Sequence, residues 1–334
     1  MNLNYSKFFA LQIFALLSIL GGMSSLGVKD VRAQIANDIY IDVIPQNPTP
    51  GEEVSVKLSS YLVNLDSALI TWYENNKKIS SGIGLKSYST KTPSTGSDAS
   101  VTVQVVTADD DVTLPVVIRP SVMVLLWEAD SSYVPPFYRG KALLTSDSPV
   151  KIVALPEIRQ GSVYVSPKNM TYSWRKDYTN DQGASGYGKN YFTYTSDYLD
   201  PASFIEVSAT TVDGSRTSTG SANIGTFQPK VVFYKNDEVL GPMFENALKS
   251  GHKIVDKEIV FAAPYFISAE DIRIPRLDWF WYINNERIAN QSFQQNIIPL
   301  QVESGVSGTS TLRLLIEHKD KLTQTASGEI NFEF

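Results

Sequence analysis

The run Gly183-Ala184-Ser185-Gly186-Tyr187-Gly188-Lys189-Asn190 comes closest to a chemical motif. A phosphate-binding loop needs glycines whose amides cradle phosphate, a lysine, and then Ser or Thr to hold Mg²⁺. Asn190 stands at that last position, and Tyr191 to Tyr194 continues as a strand pattern, so the run reads as a hairpin loop. Asp109-Asp110-Asp111 offers hard oxygens of the kind Ca²⁺ prefers, but without EF-hand spacing. The run from Asp177 to Gln182 fails too, with Gln where that loop needs Gly. Both read as solvated turns. Glu128 and Asp130 put acids near a domain junction and keep an interdomain Ca²⁺ site open as the alternative. The two histidines, His252 and His318, lie far apart and read as surface residues. No His-Glu-x-x-His and no Gly-x-Ser-x-Gly occurs. An internal Lys–Asn cross-link would need Lys257, Asn331 and the carboxylate of Asp278 together inside one domain. A carboxylate pair for glycoside cleavage needs only spatial proximity, and nothing in the sequence marks one. With no cysteine there is no disulfide, no thiolate zinc site, no iron–sulfur cluster and no Cys nucleophile. The expectation is a protein without catalytic residues, metal or cofactor.

The elements around these residues are almost all strands. The chain has 334 residues, 43% of them hydrophobic, which is enough for real cores. Its net charge of −6 gives no surplus of cations for phosphates, so nucleic acid is an unsuitable partner. An aromatic strand recurs at Ala68–Tyr73, Met170–Trp174 and Leu277–Tyr282, with Trp72, Trp174 and Trp281 roughly a hundred residues apart. Asn75-Asn76 and Asn284-Asn285 follow two of these strands, and Asn tolerates the positive φ of a tight reversal. Alternating strands follow at Ser100–Thr107, Phe204–Thr210 and Thr311–Glu317, each ending in turn residues and a closing strand. Pro-led apolar strands at Pro120–Trp127 and Pro229–Tyr234 carry the same period. Period-two alternation with frequent Gly, Pro, Asn and Asp punctuation means antiparallel sandwiches, about seven strands each. One short helical turn is allowed for between Pro242 and His252.

The fold class is therefore all-β: three tandem immunoglobulin-like antiparallel β-sandwiches after an N-terminal signal helix. Residues 1–33 read as a signal peptide, with Lys7 in the charged region, an apolar run from Phe8 to Leu20 and cleavage after Ala33. An uncleaved membrane anchor is the alternative, and either places the rest of the chain outside the cytoplasm. The sandwiches span 34–119, 120–228 and 229–334. Trp72, Trp174 and Trp281 are assigned to their cores. Trp127, Pro135, Pro136, Phe137 and Tyr138 are candidates for packing across a domain joint. Tyr187, Tyr191 and Tyr194, with Tyr198 nearby, are either core residues or a recognition surface, because Tyr is amphipathic. Arg119-Pro120 and Gln228-Pro229 join the units without a Gly/Ser linker, which predicts a semi-rigid rod.

Pro50-Gly51-Glu52-Glu53-Val54, the central Trp with its Asn-rich turn, and the strand ending in Val212-Asp213-Gly214 resemble bacterial immunoglobulin-like and PKD-like extracellular domains. Leu126–Ala129, Pro135–Tyr138 and Ser185–Asn190 are similar to segments of uncharacterised multi-domain secreted proteins of candidate-phylum bacteria. PKD domains follow the central strand with Trp-x-Phe-Gly-Asp-Gly, where this chain has Trp72-Tyr73-Glu74-Asn75-Asn76. The resemblance implies adhesion, display or envelope-structural roles, with a protein or glycan at the cell surface as partner. It supplies no catalytic residue. A strand-accepting partner of a surface fibre or secretion system and an accessory carbohydrate-active protein are the alternatives.

Overall fold

The computed structural model describes residues 38–290 and 293–334. The signal-peptide reading of residues 1–33 lies outside them. The chain divides after Pro120 into two compact units.

The first unit holds seven strands: β1 (Tyr40–Ile44), β2 (Glu53–Ser59), β3 (Leu69–Glu74), β4 (Lys77–Ile83), β5 (Ser87–Lys91), β6 (Ala99–Val106) and β7 (Asp111–Ile118). They form two sheets, β1-β2-β5 and β4-β3-β6-β7. Alternation is the cause: Val54, Val56 and Leu58 of β2 face Ile70, Trp72, Val101, Val103 and Val105 of the other sheet, and all are buried.

The second unit repeats this order twice. Its first sandwich uses β8 (Val122–Ala129), β9 (Pro149–Glu157), a small ladder of β10 (Arg159–Gln160) and β11 (Val163–Tyr164), β12 (Met170–Lys176), β13 (Thr179–Tyr187), β14 (Tyr191–Thr195), β15 (Ala202–Thr211) and β16 (Thr217–Gly225). The sheets are β14-β9-β8 and β13-β12-β15-β16. Its second sandwich uses β17 (Lys230–Asp237), β18 (Gly241–Ala247), β19 (His252–Lys253), β20 (Lys257–Tyr265), a short α1 (Ala269–Arg273), β21 (Leu277–Ile283), β22 (Glu286–Ile288), β23 (Ile297–Gln301), β24 (Thr309–His318) and β25 (Thr325–Glu333). Here a parallel bridge from Lys230 to Ser327 joins the two sheets along one side. The segment allowed a helical turn, Pro242–His252, is instead mostly strand β18, because its aromatic Phe244 packs on Tyr234 and Phe261.

One tryptophan device recurs in all three. Trp72, Trp174 and Trp281 sit on the central strand opposite Val103, Val207 and Leu314, and each is at most 1% exposed. A buried indole still needs an acceptor. Each Nε1–H donates at 2.9 Å to a main-chain carbonyl of the loop leading to the next sheet: Leu85, Lys189 and Gln295. The plate thus fills the core and ties the crossover loop to it.

The turn after each tryptophan strand recurs as well. Asn75-Asn76, Asp177-Tyr178 and Asn284-Asn285 all have φ between 47° and 69°, the geometry whose twist matches a two-residue hairpin. The first residue of each pair donates its amide to the strand beyond, at Ser100, Phe204 and Thr311. Asp177 and Asn284 also accept from the amides of Phe204 and Thr311. Tyr178 is a costly residue for positive φ; its ring stacks on Phe204 at 5.3 Å.

Two glycines mark where first and last strands cross. A side chain at Gly220 would meet Met123 of β8, and one at Gly328 would meet the carbonyl of Val231 of β17 at 2.6 Å. The neighbour at Gly328 is backbone, which cannot swing away. Gly328→Ala is expected to cost about 1–3 kcal/mol, as overpacking does, read from the urea midpoint of residues 121–334. An unchanged midpoint would show that the β17–β25 seam is looser than this.

The two sandwiches of the second unit are locked by the long connection between β8 and β9. Val134, Tyr138 and Leu143 of this arm cover the outer face of β17 and β20 at Tyr234, Phe261, Ala263, Tyr265 and Phe266. Tyr133 exchanges main-chain hydrogen bonds with Phe266 and Ile267, and Ala269 donates to Ser131. Gln324, fully buried, donates to the carbonyl of Ser146 at 2.7 Å and to Ser148 Oγ at 2.8 Å. β20 reads as a continuous apolar run because both its faces are covered.

Candidate functional site

The tyrosines of the middle sandwich do not share a surface. Tyr187 ends β13 and is exposed, and Tyr191 points outward from β14 beside Lys151. Tyr194 turns inward, stacked on Phe192 at 5.4 Å. Alternation on β14 puts Tyr191 and Tyr194 on opposite faces. Of the joint candidates, Tyr138 meets Tyr265 and Phe266 edge-on, and Pro135 is buried. Pro136 and Phe137 are corrections: both face solvent, because the chain reverses at Phe137 with φ 65°. Trp127 is another. It packs on the middle sandwich's own core, with Lys141 Nζ 3.1 Å from its ring centroid.

The remaining polar groups are occupied by structure. Lys189 donates to the carbonyl of Gly183 within its own hairpin. Asp110 closes the β6–β7 turn on Thr107. His252 meets Glu258 at 2.8 Å. His318 is buried rather than on the surface: its Nδ1 accepts from the amides of Asp320 and Lys321, each at 3.0 Å, closing the turn after β24. Its Nε2 lies 3.2 Å from buried Asp271. Burial pushes the Asp271 carboxyl up, but the Lys321 ammonium and His318 outweigh it and hold the group below its ordinary value. Lys257 and Asn331 are exposed on separate strands, and Asp278 pairs with Lys319 at 3.4 Å, so no cross-link geometry exists. Among the described residues no three acidic or histidine side chains are gathered as a metal set.

One surface breaks this pattern. On the outer face of the last sandwich, β21 presents Phe280 and Tyr282 between strands β22 and β24. Tyr282 lies in register with Arg287 on one side and Arg313 on the other. The Arg287 guanidinium sits 4.5 Å over the Phe280 ring, and that of Arg313 sits 4.5 Å over Tyr282. Stacking on a ring holds a guanidinium flat and leaves its N–H rim to other partners. Among the described residues, neither has a carboxylate within 4 Å, and the buried Nε of Arg313 has no acceptor.

The middle sandwich makes the contrast. At the position after its tryptophan, Arg175 lies opposite Glu206 and binds it at 3.0 Å. Tyr282 and Arg313 replace that closed pair with an open one. In the first sandwich the same position is Tyr73, whose hydroxyl donates to Gln104. Beside Phe280 opens a cleft of about 800 Å³, lined by Arg273, Asp278, Trp279, Arg287, Gln295 and Asn296 among others. Sequence reading passed over both arginines, since isolated cations in strands carry no motif. The signal available was the unbroken aromatic run of β21, whose outward half has no core to fill.

No protein-family description matches the chain, and no curated protein matches it in sequence. Solved structures similar to it are multi-domain arrays. The central fibronectin-III array of RIM-binding protein is 12% identical, covering 88% of this chain and 95% of that one, with a TM-score of 0.31. The three N-terminal domains of the highly immunogenic outer capsid protein of bacteriophage RB49 are 9% identical over 88% and 97%, with a TM-score of 0.26. Fibronectin(III)-like modules of Clostridium thermocellum CbhA are 13% identical over 57% and 95%, with a TM-score of 0.27. The sandwich assignment stands on the strand order, shared turns and shared tryptophan bonds of the three repeats.

Proposed function

We propose that this is an exported, non-catalytic protein that recognises a component of the cell envelope or surface through its last sandwich. The observation that carries the reading is the pair of guanidiniums of Arg287 and Arg313 over aromatic rings, neither ion-paired within 4 Å among the described residues although Glu329 lies opposite Arg313 on β25, where the middle sandwich closes the Arg175–Glu206 pair. Recognition surfaces favour arginine and aromatic residues. The β8–β9 arm supports the same reading, since it fixes the last sandwich to its neighbour and so presents that face on a firm base. Export is supported by the charged-then-apolar N-terminal run. Among the described residues no helix is long and apolar enough to cross a membrane.

The test uses purified full chain and a washed envelope fraction of the source cell. Arg287→Ala combined with Arg313→Ala is expected to reduce retention at least tenfold while the melting temperature holds. Retention should also fall as salt rises, as for exposed charges. Retention indifferent to both substitutions and salt would remove the face from the account.

A further inference from the structure

The cleft beside Arg287 carries a ligand class. We infer that it takes an acidic polysaccharide of the uronate type, a proposal that rests on the recognition reading above and names its ligand. Two cations, Arg273 and Arg287, line the cleft, and neither makes an ion pair among the described residues. Its one acid, Asp278, is already engaged by Lys319. The cleft is therefore a local cationic site on a chain of net charge −6. A guanidinium offers a planar fork that matches a carboxylate with two parallel hydrogen bonds. Arg287 is held in place for this by Phe280, whose ring its guanidinium overlies at 4.5 Å.

Charge alone would suit any anion; the rest of the lining selects a sugar. Trp279, half-buried with its ring packed against the sandwich core, lines the cleft together with fully exposed Phe293, so aromatic carbon borders it. The C–H faces of a pyranose stack on such rings, which a small inorganic anion does not need. The side-chain amides of Gln295 and Asn296 make no hydrogen bond among the described residues, and an amide supplies both the donors and the acceptor that ring hydroxyls require. The Gln295 main chain is held at 2.9 Å by the core indole of Trp281, so this side of the cleft is anchored to the sandwich interior. A volume of about 800 Å³ lies within the range of small-ligand sites.

The experiment measures binding of the full chain to polygalacturonate, to the same polymer fully methyl-esterified, and to polyglutamate. The expected result is binding to polygalacturonate that drops at least tenfold on esterification and at least tenfold in Arg287→Ala. Arg287→Lys should recover part of the loss, because it keeps the charge and lacks the fork. Arg159→Ala, on the middle sandwich, should change nothing. Equal binding of the ester would overturn the carboxylate contact. Preference for polyglutamate would overturn the saccharide class in favour of an acidic peptide. Absence of polygalacturonate binding by folded wild-type chain would overturn the proposal outright. If envelope retention still depends on Arg287 and Arg313 in that case, the ligand class alone falls; if it does not, the recognition reading falls with it.

Discussion

Replacing Trp174 with alanine is expected to lower the stability of the middle sandwich by about 3–5 kcal/mol, the usual cost of a buried aromatic. The side chain is fully buried between the two sheets and lies 5.6 Å from the ring of Phe192. Its loss removes that packing and leaves a cavity between β12, β15 and β14. It also orphans the carbonyl of Lys189, which now accepts from the indole at 2.9 Å; a buried acceptor without a donor adds to the cost. No disulfide braces these sheets, since the chain has no cysteine. Urea unfolding of the full chain, followed by hydrogen exchange at the amides of β12 and β15, reads the change. A loss below about 1 kcal/mol would mean that the tryptophan is not the keystone of its core.

Tyr265→Ala is expected to have the second large effect, of a different kind. Tyr265 is 6% exposed, meets Tyr138 edge-on at 5.5 Å and hydrogen-bonds Tyr234 through its hydroxyl. It belongs to the apolar patch where the β8–β9 arm lands on the last sandwich. Truncating it removes about 3–5 kcal/mol of packing from a contact that two sandwiches share. The wild-type residues 121–334 should unfold as one cooperative step. The variant should show two, because each sandwich keeps its own core while the joint loses its centre. A single step in the variant, displaced but not split, would show that the main-chain bonds of Tyr133 and the side-chain bonds of Gln324 suffice to couple the two.

The sandwiches were legible because their defining residues are local in sequence. A tryptophan, a two-residue reversal and alternating Val, Ile and Leu each impose their geometry over a few positions. In the middle repeat the reversal was hidden by Asp177-Tyr178, since Tyr is a poor residue for positive φ and only the stack on Phe204 explains it. The β8–β9 arm was legible only in part: its aromatic and proline run marks Tyr138 as a joint residue, but not what it lands on. Tyr138 carries no period, and its partners on β17 and β20 lie roughly a hundred residues away. His318 misled for the same reason: a strand-end histidine looks solvated until a distant helix brings Asp271 against it. The arginine face was hidden because Arg287 and Arg313 come together only across strand pairing. The tyrosines near the glycine-rich loop attracted notice through composition, but strand alternation separates them.

The central claim is that one sandwich has been written three times, each copy built on a tryptophan whose indole is bonded to its own crossover loop. Nitrogen-15 NMR of the five tryptophan indoles tests this most directly. Three Nε1–H signals, from Trp72, Trp174 and Trp281, should be protected from solvent exchange, while those of Trp127 and Trp279 exchange quickly. Fast exchange at any of the first three, in the folded chain, would contradict it.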